Sequence, residues 1–232
     1  MSRFPFIATL MAIVVSAVLA GAGMADAQTV ITGRVLNPAG QPLAGLALFE
    51  KGPLHSDRWH RGTLVDADGR FRVELADGGN YGLHVYASGY IYSPNAVYVR
   101  TGKTKEIDVV LKPEPTRAND PVIRRVGFFP WEARPGGVTF VKLDVFDPNG
   151  DLSPQVLAFN ARTGRVYAMQ PPRPVRDPKA NFPDGVYQVE IDTTAEPIEP
   201  RDWHFVVADH LCNTSDVLGF PHEPVAPRVV AK

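Results

Sequence analysis

Asp66-Ala67-Asp68-Gly69-Arg70-Phe71-Arg72-Val73-Glu74-Leu75 carries the pattern that decides the fold. Phe71, Val73 and Leu75 alternate with Arg70, Arg72 and Glu74. Side chains on a strand point to opposite faces at every step, so this is a strand with one apolar face. Asp66, Asp68 and Gly69 supply the turn before it: carboxylates that bond nearby backbone N–H groups, and a glycine free to adopt positive φ.

The same grammar extends in both directions. Ile31, Gly33 and Val35 alternate with Thr32 and Arg34, and Tyr81, Leu83 and Val85 alternate with Gly82, His84 and Tyr86. Leu46–Phe49 is a short apolar run, and Ile107, Val109 and Leu111 end the first half. Further strands are predicted over Val122–Phe129, Val138–Val145, Gln155–Phe159, Arg165–Met169, Val186–Ile191 and Trp203–Val207. Between them lie turns such as Asn37-Pro38-Ala39-Gly40 and Asp147-Pro148-Asn149-Gly150, and helical periodicity is almost absent. Short strands at this spacing predict an all-β chain of two small sandwiches in tandem.

The start of the chain reads as a targeting signal. Arg3 is followed by an apolar stretch to Gly23 and by Ala25-Asp26-Ala27, a small-x-small cleavage pattern that predicts a mature start at Gln28. Export follows, to a periplasm or the outside, with no membrane span after cleavage. The net charge of −1 lacks the positive footprint that nucleic acid requires. Cys212 is the only cysteine, so no internal disulfide forms, which suits a bacterial envelope better than the disulfide-stapled secreted domains of animals.

Prolines number 22 and cluster at boundaries. The richest polar stretch, Lys112–Pro121, reads as an extended linker whose polar residues bury nothing. The expected organisation is a signal peptide over 1–27, a sandwich over 28–113, a linker over 114–121, an Ig-like sandwich over 122–212 and a Pro-containing tail over 213–232. The tail is expected to stay loose unless it docks.

Five ordered pieces of the first half resemble a known family: Ile31–Val35, Asn37–Gly45, Thr63–Phe71, Tyr81–Tyr90 and Ile107–Leu111. Over residues 29–113 the chain is similar to the carboxypeptidase regulatory-like domain, a transthyretin-like sandwich. The resemblance implies an accessory module without catalytic residues. The second half resembles fibronectin- or cadherin-type sandwiches only loosely.

Leu54–Arg61 gathers His55, Asp57, Trp59 and His60 in what reads as one loop, residue types that suit a transition metal. With His84, Tyr90 and Tyr92 they are similar to the ferric site of intradiol dioxygenases, but that family's close His-x-His pair is missing. Ordinary solvated histidines are the expectation, with no metal and no cofactor. Asp147–Asp151 alternates oxygen ligands as a calcium loop does, but its glycine precedes the third ligand position, and a hairpin turn explains it. No serine sits in a nucleophile elbow.

Aromatic residues offer the contact surface: Trp59, Tyr90, Tyr92 and Trp131, with His60 beside them, are the expected ligand- or partner-binding residues. The function expected is an exported, non-catalytic accessory module that docks on a larger envelope or secreted protein. Carbohydrate or small-ligand binding is the alternative, and a metal-dependent enzyme the third reading.

Overall fold

The computed structural model describes residues 28–54, 58–129, 137–171, 183–194, 198–219 and 223–224. The signal sequence, His55, Asp57 and Trp131 lie outside them.

Seven strands build the first half: β1 (Thr29–Leu36), β2 (Gly45–Lys51), β3 (Trp59–Val65), β4 (Arg70–Leu75), β5 (Gly79–Tyr86), β6 (Ser93–Val99) and β7 (Thr104–Val110). They form two sheets, ordered β4-β1-β7 and β3-β2-β5-β6. β1 runs antiparallel to β4, placing Gly33 opposite Phe71, and parallel to β7, placing Gly33 opposite Ile107. The turn into β4 closes as its residues predict: Asp66 Oδ1 accepts the N–H groups of Asp68 and Arg70 at 3.0 and 2.8 Å, and Gly69 has φ +73°. Ile31, Val35, Phe49, Phe71, Val73, Tyr81, Leu83 and Val85 are buried between the two sheets.

The second half holds β8 (Val122–Phe129), β9 (Val138–Phe146), β10 (Leu152–Asn160), β11 (Arg165–Ala168), β12 (Gly185–Asp192) and β13 (Trp203–Asp209), followed by the two-residue strands β14 (Leu218–Gly219) and β15 (Glu223–Pro224). Their sheets are ordered β12-β9-β8 and β11-β10-β13-β14-β15. A single 3-10 turn, Pro200–Asp202, is the only helical element among the described residues. The core packs Phe128 edge-on against Trp203, ring centroids 6.3 Å apart, with Phe205, Tyr187, Val141, Leu143 and Val156 around them. One device anchors a tyrosine in each half: Tyr81 donates to the carbonyl of Asp77 and Tyr187 to that of Pro183, both at 2.9 Å. The protein is all-β and built of sandwiches.

The two sandwiches are not beads on a string. Leu46 and Leu48 of β2, Tyr86 of β5 and Tyr92 pack against Leu157 and Phe159 of β10, Val166 of β11, Val206 and Ala208 of β13 and Val217. Strands β2, β5, β10 and β13 therefore face a core on one side and the neighbouring sandwich on the other. Burial on both faces calls for continuous apolar runs rather than alternation, and Leu46–Phe49 and Val206–Ala208 are such runs. At Gly62 on β3 an added Cβ would lie 2.6 Å from Leu48 Cδ2 and 2.9 Å from the Phe159 ring, so the bare glycine is what lets the sandwiches close.

One expectation changes here. Lys112, Thr116 and Asn119 of the Lys112–Pro121 stretch are exposed, but the Glu114 side chain is fully buried and Asp120 nearly so. Both meet Arg117, which also bonds Asp216 at 2.9 Å. Beyond β13, the start of the predicted tail docks. Ser215 N–H donates to the Val207 carbonyl at 2.9 Å, Val217 N–H donates to Ser88 Oγ at 3.0 Å, and the Val217 side chain fills the joint between the sandwiches.

Candidate functional site

Trp59 and His60 are not in a loop; they open β3. Trp59 is half-buried, its ring 5.0 Å from that of His84. His60 is half-buried against Tyr81, and burial first, then the Lys51 charge, lowers its pKa. His84 lies inside, with Nε2 2.9 Å from Glu50 Oε1. Gly82 makes room for that carboxylate, since a Cβ there would sit 2.5 Å from Glu50 Oε1. One ring nitrogen of His84 thus already faces a carboxylate. Among the described residues no group of three or more His, Cys, Asp or Glu is arranged to hold a metal ion.

From His84 a stack of rings leads into the joint. Tyr92 stacks on His84 at 6.1 Å and on Tyr86 at 5.3 Å. The Tyr86 hydroxyl donates to Gln155 Oε1 at 2.6 Å, and Gln155 Nε2 donates to the Tyr92 hydroxyl at 2.9 Å. Burial pushes both phenols well above the usual tyrosine range. With 6 % of its surface exposed, Tyr92 belongs to this joint and offers no ring to a partner, which corrects its expected place on a contact surface. Tyr90 is half-buried, its carbonyl accepting from Thr214 Oγ1 at 3.4 Å. Cys212 adjoins the same region, with φ +68° and its carbonyl accepting the Tyr92 N–H at 3.2 Å; burial raises its thiol pKa.

The exposed aromatic surface is elsewhere, on the outer face of the β12-β9-β8 sheet. Phe128 and Phe129 are neighbours on β8, so the first enters the core and the second faces out, 55 % exposed. The Phe129 ring leans over Gly127, where a Cβ would come within 2.5 Å of it. Its cross-strand partner is Phe140 of β9. Lys142 Nζ lies 5.3 Å from the Phe129 ring centre and 5.9 Å from that of Phe140, within cation–π range of both. Val138 and Val186 extend the apolar area, and Arg124 covers Phe146 at the other end of β9, 4.0 Å from its ring centre. In the sequence, the doubled phenylalanine on a strand was the signal for this face. Gln155 carried none, because what it bonds lies in the other sandwich.

A second exposed aromatic, Tyr98 of β6 at 59 %, borders a groove of about 260 Å³ lined by Val99, Arg100, Lys103, Thr104 and Lys105. Among the described residues no helix is long and apolar enough to cross a membrane.

Several solved structures are similar to this chain. The minor pilin GBS52 of Streptococcus agalactiae is 22 % identical over 39 % of this chain, with a TM-score of 0.31; the match spans 47 % of that pilin, less than half its length. A DUF3823 family protein of Parabacteroides merdae is 15 % identical over 82 % of this chain and 92 % of its own, TM-score 0.28. The dioxygenase domain of a dioxygenase carbohydrate-binding protein fusion from Streptomyces is 15 % identical over 40 % of this chain and 84 % of its own, TM-score 0.31. No curated protein matches the sequence. Residues 30–112 match the family model of the carboxypeptidase regulatory-like domain, the family whose motifs the first half of the sequence carries.

Proposed function

We propose that this chain is an exported, non-catalytic accessory module that docks on a larger protein of the bacterial envelope or its surroundings. The division into a unit over 28–113, a connecting segment over 114–121 and a unit over 122–212, preceded by a cleaved signal, is part of the proposal. The observation that carries it is the outer face of β8 and β9. Phe129 and Phe140 lie side by side under Lys142, with Val138 adjoining, on a sheet whose other face is already filled by its own core. Aromatic side chains are enriched at protein interfaces relative to the rest of the surface. The joint supports the same reading: it fixes one sandwich on the other, so the exposed sheet is presented on a stiff body and little ordering cost accompanies binding.

The test is capture of a stoichiometric partner from the native envelope by the tagged protein with cross-linking, repeated with Phe129→Ser. Loss of the partner at unchanged thermal stability is expected. Equal recovery with the variant, or no partner with either protein, removes the reading.

Carbohydrate binding has one specific observation in its favour, the Tyr98 ring beside Arg100, Lys103 and Lys105. A ring face stacks on sugar C–H groups while cations reach hydroxyl or acidic substituents. A glycan array on which Tyr98→Ala loses every signal would transfer the proposal to that groove, and a blank array with the wild type would close it.

A further inference from the structure

Where the connecting segment meets the chain beyond β13, three carboxylates converge on one guanidinium. Arg117 Nε lies 2.6 Å from Asp120 Oδ2 and 3.6 Å from Glu114 Oε2, and its Nη2 lies 2.9 Å from Asp216 Oδ1. Arg117 keeps about a third of its side chain in solvent, whereas that of Glu114 has none there. The other Glu114 oxygen, Oε1, accepts the N–H of Thr214 at 3.2 Å. Around them the Gly89 carbonyl accepts the Glu114 N–H, and the Tyr90 carbonyl accepts the Thr214 hydroxyl. The ionisable groups on the segment that leads into Thr214 are Asp209, whose carboxylate is held by the N–H groups of Leu211 and Asn213, His210, whose backbone N–H donates to the Asp151 carbonyl, and the Cys212 thiol.

Two oxygens in this cluster, Glu114 Oε2 and Asp120 Oδ1, are buried and accept no N–H or O–H. If both carboxyls were ionised, these oxygens would stay bare and a net negative charge would be buried, which is costly. One proton on Glu114, held between the two carboxyls, lowers the net charge of the three carboxylates and Arg117 from −2 to −1 and gives a bare oxygen a donor. Burial, and then the charge of Asp120, push Glu114 up to about 8, in the direction that such a shared proton requires.

We propose that the cluster is an acid-closed latch: the proton held by Glu114 and Asp120 fastens the strap Thr214–Val217 over the joint between the sandwiches, and its loss releases the strap. The strap is what the latch controls because Thr214 bonds Glu114 directly, Asp216 bonds Arg117, and Val217 plugs the joint one residue further on. Opening exposes Glu114 to water, where it titrates as an ordinary glutamate near 4.5. The closed form holds its proton to about pH 8, so opening is least favoured below about pH 4.5, grows as pH rises between these values, and levels off above about pH 8.

The test is hydrogen exchange at the Thr214, Ser215 and Val217 amides of the whole protein from pH 5 to 8, corrected for intrinsic exchange. The opening constant of the wild type is expected to rise at least tenfold across the range, and that of Glu114→Gln by less than twofold. A flat wild-type profile, or the same rise in Glu114→Gln, overturns the latch. If Glu114→Gln fails to fold, carboxyl carbon NMR of the wild type decides: a Glu114 midpoint well above 6 supports the shared proton, and one near the ordinary 4.5 ends the proposal.

Discussion

The hydroxyl of Tyr86, on β5 of the first sandwich, donates a 2.6 Å hydrogen bond to the side-chain oxygen of Gln155, on β10 of the second. The amide nitrogen of the same Gln155 donates to Tyr92 at 2.9 Å, so one side chain pairs with two phenols across a joint packed mainly with apolar side chains. A polar group buried in such a joint is strongly favoured when paired and expensive when left bare.

Gln155→Leu preserves the bulk of the side chain, strands the Tyr86 hydroxyl and takes one donor from that of Tyr92, which keeps its bond with the Cys212 thiol. At about 1–3 kcal/mol for a stranded group, a loss of about 1–3 kcal/mol is expected. Chemical denaturation measures it. Adding Tyr86→Phe and Tyr92→Phe to Gln155→Leu should recover most of the loss, and a triple variant no more stable than the single one would show that packing rather than pairing is responsible.

Gly62→Val tests the closeness of the sandwiches. Its Cβ alone would sit 2.6 Å from Leu48 and 2.9 Å from Phe159, and two further methyls point into the same space. Overpacking of this kind costs about 1–3 kcal/mol, and here it falls on the joint rather than on either core. Calorimetry of the variant should resolve two transitions, one for each sandwich, where the wild type shows one. A single transition at the wild-type temperature would mean that β3 swings away at no cost.

The strands that cover a core on one face only were legible because alternation is a local property. β4 shows it without a break, with Phe71, Val73 and Leu75 buried and Arg70, Arg72 and Glu74 exposed. The doubly buried strands were visible as apolar runs, but a run does not say which surface covers its second face. Trp59 and His60 read as a loop because β3 has no clean period. Gly62 stands where an outward side chain would strike the other sandwich, so the residue that marks the joint also erases the pattern. Glu114 reads as solvated linker for a related reason: Thr214, whose N–H it accepts, and Asp216, which shares Arg117 with Glu114 and Asp120, lie in a distant stretch that no local rule connects to it. Of the expected contact aromatics, Tyr92 went to the joint and Trp59 onto His84. The ring exposed on β8 is Phe129, one residue from a core phenylalanine and told apart from it only by strand parity.

Two glycines at positive φ separate backbone strain from crowding. Gly40 has φ +78° and nothing within 4 Å of an added Cβ, whereas at Gly69, φ +73°, a Cβ would lie 2.6 Å from the Val35 carbonyl oxygen. Gly40→Ala is expected to cost about 1 kcal/mol, the left-handed penalty alone. Gly69→Ala should cost clearly more, because the turn between β3 and β4 must move away from β1. Thermal unfolding of the pair measures the difference, and equal losses would show that the turn yields freely.

Asp147 supplies the last test, because the chain contains its own control. Asp147-Pro148-Asn149-Gly150 and Asn37-Pro38-Ala39-Gly40 are the same kind of turn. Asn37 Oδ1 accepts the N–H groups of Ala39 and Gln41 at 3.0 and 2.9 Å, so an asparagine closes this turn well. Asp147 is only 3 % exposed, and neither of its carboxylate oxygens has a partner at hydrogen-bonding geometry; one oxygen of Asp151 is equally bare. Burial first, and the Asp151 charge second, push Asp147 up to about 6. An unfolded aspartate titrates near 3.8, so the folded chain holds the extra proton between these values. The stability this group contributes is therefore complete below pH 4, falls as pH rises toward 6, and is gone above it. Asp147→Asn keeps the turn and cannot ionise. It should leave stability at pH 4 nearly unchanged and raise it at pH 8 by on the order of 1 kcal/mol, flattening the decline between the two. Denaturation at both pH values checks this. A variant less stable than wild type at pH 8 would mean that the ionised carboxylate is held by the turn after all, through the Asn149 and Asp151 N–H groups that lie near it.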